Sequence, residues 1–359
     1  MIIRRESLYG SNDLHVVYRP YKVEELLGND VGKRLMANAL DTGKVQHTQL
    51  FTGPAGCGKT TAARIMALGL NCDTNGISSK PCLECKSCKS IIEGTSIDVK
   101  EINVGQSNGK DAVDSIIREL STSPFNSRFK VIIFDEAHEL TAAAKDLLLK
   151  PTENGYEHVY FIFCTNQPEK LKGKSKSGDS PFLERCSTIN FNRVSPEIMF
   201  SLLRNVCEFE GFPFNEEILN IIVKESLGVP RVALIWLNQI AIEGSWSIEA
   251  AKNICGLLTD EEEPKIIDIC RLLNKGSFKE AVSVFDSMTS TPVETIRILS
   301  CNYFVACLKN SKKVSDGIRY SKILDVLLEP IYDTSKNGVY KWYNYMFKVA
   351  EVVLSSMRS

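Results

Sequence analysis

Short apolar runs alternate with amphipathic stretches along the first half of the chain. One such stretch, Thr61–Leu70, predicts a helix directly after the first run. Strands that alternate with helices are typical of an α/β fold with a parallel sheet. The pattern therefore predicts an α/β domain over residues 1–195. Its predicted strands are Gln49–Thr52, Ile97–Ile102, Lys130–Asp135, Val159–Thr165 and Thr188–Phe191.

Strand signals fade after Ser195-Pro196, and helical periodicity takes over. We predict a small helical unit over residues 196–257 and a further helical domain over 258–359. An acidic helix start with an early proline, Thr259–Pro264, marks the boundary between them. The basic, Gly/Ser-rich segment 172–180 predicts a loop.

Composition bounds the class of protein. A chain of 359 residues predicts more than one domain, and a hydrophobic content of 43% is ordinary for a soluble protein. The net charge of −1 excludes a globally basic nucleic-acid binder, although a local basic groove stays open. No apolar run reaches transmembrane length, and residues 1–10 lack a signal-peptide core. We expect a cytoplasmic protein without a membrane partner.

One stretch carries a nucleotide-binding motif. It fits G-x-x-x-x-G-K-[ST], a pattern expected by chance in roughly one chain in a hundred of this length. The glycines let backbone N–H groups surround phosphate oxygens, Lys59 places a charge on the β- and γ-phosphates, and Thr60 reaches Mg²⁺. A predicted strand enters the loop, and a helix that opens at Thr61 leaves it. The motif consists of Gly53, Pro54, Ala55, Gly56, Cys57, Gly58, Lys59 and Thr60.

Two further predicted strands end in polar side chains. Asp135 and Glu136 close the run Val131–Phe134, at the edge where α/β sheets bind ligands. Asp135 is predicted to hold Mg²⁺, and Glu136 to orient and polarise the attacking water. Asn166 is a candidate contact to the γ-phosphate or this water, but a polar residue that caps a strand explains it as well.

Four cysteines lie close together in the sequence. Cys72, Cys82, Cys85 and Cys88 have the spacing C-x9-C-x2-C-x2-C, which suits a tetrahedral, structural Zn²⁺ site. Free thiols in a flexible loop are the weaker alternative, and the ligands alone do not exclude an iron–sulfur cluster.

In this order, the motifs resemble the gamma/tau subunits of bacterial DNA polymerase III, the ATPase motors of the sliding-clamp loader in the AAA+ superfamily. The likeness extends over residues 17–235. Its segments are Val17–Pro20 with Leu27-Gly28, His47–Thr60, Gly69–Cys72 with the cysteines, Phe129-Lys130, Asp135–His138, Phe163–Asn166, Arg185-Cys186 and Gly228–Arg231.

The resemblance implies an AAA+ domain with an inserted zinc module at 72–88, a helical lid and a helical collar. It also implies ATP, Mg²⁺ and Zn²⁺ as cofactors. Arg19, Pro20 and Leu27 would lie near the adenine. Asn166 would be sensor 1, and Arg231 would be the sensor 2 contact to the γ-phosphate.

The resemblance also implies that one arginine and one lysine contact other molecules. Arg185 would act in trans, as an arginine finger on the ATP of a neighbouring subunit. Lys110 would contact the DNA backbone, with Asn108 beside it. The implied partners are other loader subunits in a pentameric ring, the sliding clamp and primer–template DNA. The implied activity is DNA-stimulated ATP hydrolysis that opens the clamp and places it on DNA.

The sequence departs from the family at several points. Glu184 replaces the serine before Arg185, the loop 172–180 looks inserted, and Pro151 is expected to interrupt a helix of the family. The long tau extension is not found. These departures favour a short, diverged version of the protein, such as a phage replisome would encode.

Two other functions stay open at this level. The Asp135–His138 box also occurs in helicases, but 359 residues leave little room for two motor domains. A non-catalytic scaffold like the loader's delta-prime subunit would also carry a zinc module. The intact Lys59, Asp135 and Glu136 argue against it.

Overall fold

The computed structural model describes residues 12–105, 109–153, 156–171, 181–255, 262–288, 293–311, 313–329, 331 and 336–358. The chain divides into two compact units, residues 1–244 and 245–359. The finer predicted division at residues 195 and 257 stays a prediction. Within the described ranges, no helix combines the length and the apolar composition needed to cross a membrane.

A five-stranded parallel sheet forms the centre of the first unit, as the sequence predicted. Its strand order is β2-β3-β4-β1-β5, so β4 lies between β1 and β3. Two predicted strands have the observed bounds, and the other three are shifted at their ends by one or two residues. The strands are β1 Thr48–Thr52, β2 Val99–Asn103, β3 Lys130–Asp135, β4 Val159–Thr165 and β5 Ser187–Asn190.

Helices connect and cover the strands of this unit. Short 3-10 turns occur at Val23–Glu25, Ala137–Glu139 and Pro168–Leu171. The helices are α1 Leu14–Val17, α2 Asp30–Asp41, α3 Lys59–Asn71, α4 Lys86–Ile92, α5 Gly109–Leu120, α6 Ala142–Glu153, α7 Pro181–Glu184, α8 Pro196–Glu210, α9 Glu216–Glu225 and α10 Pro230–Glu243.

The three central strands β1, β3 and β4 are buried on both faces of the sheet, to which successive residues of a strand alternately point. On β3, Val131 and Ile133 join the apolar cluster that contains residues of α3. Ile132 and Phe134, from the same strand, join the cluster that contains residues of α5 and α6. This double burial explains why β3 and β4 appear in the sequence as continuous apolar runs.

The prediction that Pro151 interrupts a helix is wrong. Helix α6 continues through Pro151 to Glu153. A proline costs most in a helix interior, where its missing N–H leaves a carbonyl unpaired. Pro151 lies in the last turn, where the next residue supports the helix end. The Thr152 hydroxyl donates to the Leu148 carbonyl at 2.8 Å and lies 3.0 Å from that of Leu149.

The second unit is helical in its described residues, as predicted. Its apolar core surrounds the fully buried Trp342 and includes Phe304 and Met346. Its helices are α11 Ile248–Ile254, α12 Glu262–Asn274, α13 Phe278–Asp286, α14 Val293–Lys309, α15 Val314–Leu327 and α16 Lys336–Arg358.

A buried carboxylate fixes the loop that enters β3. Asp98, just before β2, is 2% exposed. Its oxygens accept backbone N–H bonds from Phe125, Asn126 and Ser127, each at 2.8 Å. Burial alone would raise the pKa of Asp98, but these N–H bonds and the Ser127 hydroxyl outweigh it. The pKa therefore lies below its ordinary value.

We predict that Asp98→Asn lowers the free energy of unfolding by about 1–3 kcal/mol at neutral pH, because it leaves buried N–H donors without an acceptor. A lowered pKa stabilises the fold above the ordinary value of about 3.9. This contribution disappears as the pH falls through the folded-state pKa. Denaturant unfolding should therefore show a difference in the free energy of unfolding between Asp98→Asn and the parent at pH 7. This difference should become smaller at acid pH. Asp30→Asn, at a 76% exposed acid, is the control and should change little.

Candidate nucleotide-binding site

The glycines of the P-loop let the chain turn between β1 and α3. Gly53 has φ +139°, and a Cβ at this position would lie 2.0 Å from the carbonyl oxygen of Phe191. Gly58, immediately before α3, has φ +97°. Residues with a side chain rarely adopt these backbone angles. The loop therefore brings backbone N–H groups and the helix N-terminus to one point, an arrangement that binds anions.

Lys59 lies inside this loop. Its ammonium donates to the carbonyl oxygens of Gly53 and Pro54, both at 2.8 Å. The residue is 7% exposed. A buried ammonium that is held by neutral carbonyls places its positive charge where an anion at the loop would be attracted.

Sheet order brings Thr60 to Asp135. The Thr60 hydroxyl donates to Asp135 Oδ2 at 2.9 Å, although the two residues are 75 positions apart. Asp135 Oδ1 accepts the backbone N–H of Glu136 at 3.1 Å. Hydroxyl and carboxylate oxygens are ligands that suit Mg²⁺. The two predicted Mg²⁺ ligands thus lie together.

Glu136 has an unusual backbone conformation. Its φ of 52° and ψ of 43° are left-handed, which is rare for a residue other than glycine. Such conformations cluster at functional sites, where the surrounding structure maintains them. Here the conformation starts a 3-10 turn at the end of β3.

These residues surround a cavity of about 210 Å³. Among the predicted binding residues that line it are Arg19, Pro20, Leu27, Ala55, Gly56, Cys57, Gly58, Lys59, Thr60, Thr61, Asp135, Glu136 and Arg231. Gly53 and Pro54 contribute through the Lys59 contacts. The sequence did not single out other lining residues, which include His15, Tyr18, Arg64, Glu101, Phe191 and Leu234.

Arginines give the cavity a local positive charge in a chain that is nearly neutral. Burial lowers the pKa of Arg19, and the charges of Arg64 and Arg231 lower it further. Glu101 partly compensates, since it accepts from Arg64 Nε at 2.6 Å and from Nη2 at 2.9 Å. An anionic ligand would relieve this repulsion. Arg64 could have been found from sequence, because it lies on α3 close after Lys59.

Another part of the lining is apolar or aromatic. It includes Leu26, Leu27, Phe191, Leu202 and Leu234. A cavity with a charged part and an apolar part suits a ligand that combines phosphates with a base.

The start of α10 packs directly on the P-loop. A Cβ at Gly56 would lie 2.5 Å from Val229 Cγ1 and 3.7 Å from Arg231 Cβ. Arg231 is therefore beside the loop, as the sensor 2 prediction requires. The contact of Val229 was not predicted, although this residue lies in the segment Gly228–Arg231 that resembles the family.

Besides Gly53 and Pro54, two residues predicted for the ATP site do not line this cavity. Asn166 follows β4 and is exposed. Arg185 lines a separate depression together with His47, Thr48 and Thr152. There Arg185 forms an ion pair with Glu153 at 2.9 Å.

The four predicted cysteines do come together. Their sulfur atoms all lie within 4.8 Å of one another. A tetrahedral site with a Zn–S distance of about 2.3 Å needs sulfur atoms roughly 3.8 Å apart, which lies within this bound. Leu83 has a positive φ of 67°, which turns the chain between Cys82 and Cys85.

Backbone N–H groups point at these sulfur atoms. Cys72 accepts from Asn75 and Cys82, both at 3.3 Å. Cys82 accepts from Glu84 at 3.4 Å and Cys85 at 3.3 Å. Burial alone would raise the pKa of Cys82, but hydrogen bonds from Thr74 and these backbone groups bring it to about 6. These donors stabilise thiolates, the form that binds metals.

Three predicted features lie outside the described part of the chain. They are the side chain of Lys110, residue Asn108 and the loop 172–180.

The parallel sheet, the P-loop after β1 and the acidic pair after β3 are typical of a P-loop nucleotide-binding domain. The sequence profile of the family described as "DNA polymerase III, delta subunit" matches residues 29–195. Among curated proteins, the gamma/tau subunit of DNA polymerase III from Mycobacterium tuberculosis is 36% identical over 229 residues. The Bacillus subtilis tau subunit is 34% identical over 226 residues.

The gamma subunit from Buchnera aphidicola is 27% identical over 335 residues, which is 92% of this chain and 90% of that protein. The resemblance predicted from the motifs is therefore confirmed: this chain is similar to DNA polymerase III gamma/tau subunits. The alignments to the M. tuberculosis and B. subtilis proteins each include 63% of this chain. They cover only 38% and 39% of those two proteins, respectively.

The chain also aligns with the RuvB Holliday junction branch migration motor of Thermotoga maritima. The TM-score is 0.48 at 17% identity, over 70% of this chain and 78% of that chain. The alignment is too loose to add to the assignment.

The contact between α10 and the P-loop leads to a prediction for Gly56→Ala. The new methyl group would collide with Val229, so we expect nucleotide affinity to fall at least about tenfold. Gly43→Ala is the matched control, since Gly43 has a similar φ of +67° and nothing within 4 Å. It should lose some stability and keep its affinity. Val229→Ala should partly restore the Gly56 variant in a nucleotide titration. Equal effects of the two glycine variants would contradict the contact.

Proposed function

We propose that this chain is an ATP-hydrolysing motor subunit of a DNA-polymerase sliding-clamp loader. The observation that carries the proposal is the Thr60–Asp135 hydrogen bond beside Lys59 and Glu136, in a domain homologous to gamma/tau subunits. In this role, ATP would drive a ring of subunits to open the clamp and place it on primer–template DNA. DNA would then trigger hydrolysis.

The residues of the cavity have separate roles in ATP binding and hydrolysis. Lys59 and the loop N–H groups bind the β- and γ-phosphates, and Arg231 contacts the γ-phosphate. Thr60 and Asp135 would hold Mg²⁺, which would supply positive charge to offset the charge that develops on the phosphates. Glu136 accepts hydrogen bonds from the attacking water and orients it. Arg19, Pro20 and Leu27 hold the nucleoside part.

Two roles require movement or a neighbour. Asn166, which is exposed beside the end of β4, would act as sensor 1 after a shift of its side chain. Arg185 would act in trans on the ATP of the next subunit. For that role it must leave Glu153, which makes this ion pair a resting position for the arginine.

The cysteine module would hold one structural Zn²⁺ through Cys72, Cys82, Cys85 and Cys88. The N–H donors around its sulfur atoms support this proposal, because they offset the negative charge of a four-thiolate site. The module lies directly after α3. It would stabilise that segment without taking part in ATP chemistry.

The remaining assignments rest on the homology. They are DNA contact through Lys110, loader subunits in a pentameric ring, the sliding clamp as substrate and a cytoplasmic location. A delta-prime-like scaffold is the second candidate, favoured by the family profile that names a delta subunit. The complete set of Lys59, Thr60, Asp135 and Glu136 supports the motor. No specific observation favours the helicase.

We predict that Lys59→Ala abolishes ATP binding and that Glu136→Gln binds ATP but loses turnover. The amide cannot accept hydrogen bonds from water as a carboxylate does, and general-base help is worth about 10²–10⁴ in rate. Fluorescent-nucleotide titration and phosphate release measure the two steps. Glu139→Gln changes a nearby acid outside the cavity and should behave as the parent.

The outcomes separate the candidates. Turnover in the parent that Glu136→Gln abolishes supports the motor. A parent that binds ATP without turnover, also when DNA and loader subunits are added, supports the scaffold. Parent-like turnover in Glu136→Gln would contradict the role of Glu136.

We predict that zinc co-purifies at one ion per chain and that Cys85→Ala loses it. Structural Zn²⁺ in small modules is worth about 10–16 kcal/mol of apparent binding free energy. The variant should therefore unfold locally and become sensitive to protease in residues 72–88. Cys307→Ala, a cysteine of the second unit, is the control. Elemental analysis that finds iron, or no metal, would refute the proposal.

A further inference from the structure

The side chain of His138 faces the carboxylate of Glu136. His138 lies in the 3-10 turn Ala137–Glu139, and its side chain is 7% exposed. Its Nδ1 lies 3.3 Å from Glu136 Oε2 and 3.2 Å from Thr165 Oγ1. Its Nε2 lies 3.2 Å from Glu139 Oε1. One imidazole thus contacts the candidate catalytic carboxylate and the end of another strand.

Thr165 has a fixed position in this group. It is the last residue of β4, is fully buried, and pairs in register with Thr52 of β1. Its hydroxyl oxygen also accepts the backbone N–H of Gln167 at 3.0 Å. The ring of His138 is therefore held from β4, immediately before Asn166.

Glu136 needs a group that orients it. Its backbone is left-handed, and its side chain is 39% exposed. An exposed carboxylate with several rotamers loses entropy when it is fixed for catalysis. A misplacement of about 1 Å costs on the order of 10²-fold in rate. The buried ring of His138 can supply the required constraint.

We propose that His138 is a positioning residue for Glu136, held in place by Thr165 at the end of β4. The inference rests on the proposed ATPase function. It requires a proton on Nδ1, because a lone pair there would repel the Glu136 carboxylate. The Nδ1–H then donates to Glu136 Oε2, and the Thr165 oxygen lies at the same nitrogen and limits rotation of the ring.

Two substitutions of His138 separate positioning from packing. The amide nitrogen of asparagine falls near the Nδ1 position, whereas that of glutamine falls near Nε2. We expect His138→Asn to keep kcat within about threefold and His138→Gln to lower it about 10- to 100-fold, with KM little changed in both. If His138 were needed only for packing or for its contact with Glu139, His138→Asn would not retain a higher kcat than His138→Gln. Equal losses in the two variants, or a larger loss for asparagine, would overturn the proposal.

Thr165→Val tests the other contact of the ring, since it removes the hydroxyl and keeps the shape of the side chain. We expect a several-fold lower kcat that does not add to the loss in His138→Gln, because both act through one imidazole. Glu139→Gln, at the 50% exposed partner of Nε2, is the control and should leave kcat unchanged. Additive losses of kcat in the double variant would contradict an effect of Thr165 through His138.

The protonation of the ring can be measured without turnover. In protein labelled with [¹⁵N]histidine, the nitrogen shifts of the four histidines report which ring nitrogen carries the proton, and His138→Asn identifies the signal. A proton on Nδ1 supports the proposal. An Nε2–H form with a bare Nδ1 overturns it.

Failure of this inference differs from failure of the ATPase assignment. If Glu136→Gln loses turnover while both His138 variants match the parent, the assignment holds and His138 has no positioning role. If Glu136→Gln turns over like the parent, the assignment itself fails.

Discussion

Parallel pairing of β1, β4 and β3 is the constraint on which the candidate site depends. It places the ends of β1 and β3 on either side of β4, so the loop after β1 meets the acids after β3. Thr60 and Asp135 can share a hydrogen bond across this distance because both follow strands of one sheet. The double burial of the strands makes their register hard to change, since a slip of one residue would exchange the two apolar faces.

The shape of the candidate site also depends on unusual backbone conformations. Gly53 and Gly58 permit the curve of the loop, and Glu136 adopts a left-handed conformation at the end of β3. Contacts from distant segments support these conformations. The carbonyl of Phe191 leaves no room for a side chain at Gly53, and Val229 leaves none at Gly56.

The positive charge of the cavity is local, and the net charge of the whole chain does not reveal it. The chain carries a net charge of −1, yet Arg19, Arg64 and Arg231 lie close enough for their charges to influence one another. Glu101 neutralises part of this charge. The same logic holds in the cysteine module, where backbone N–H groups stabilise negative sulfur atoms. In both places the fold positions charges that a ligand or a metal would complete.

The sequence alone determined the features that depend on neighbours along the chain. These are the strands, the P-loop, the Asp135-Glu136 pair, the cysteine spacing and the helical second half. Only the tertiary structure decided which distant side chains meet. It paired Arg185 with Glu153, joined Arg64 to Glu101, placed Val229 on Gly56 and brought His138 to Thr165. Local motifs follow from bonding and periodicity along the chain, whereas these contacts depend on the packing of elements far apart in sequence.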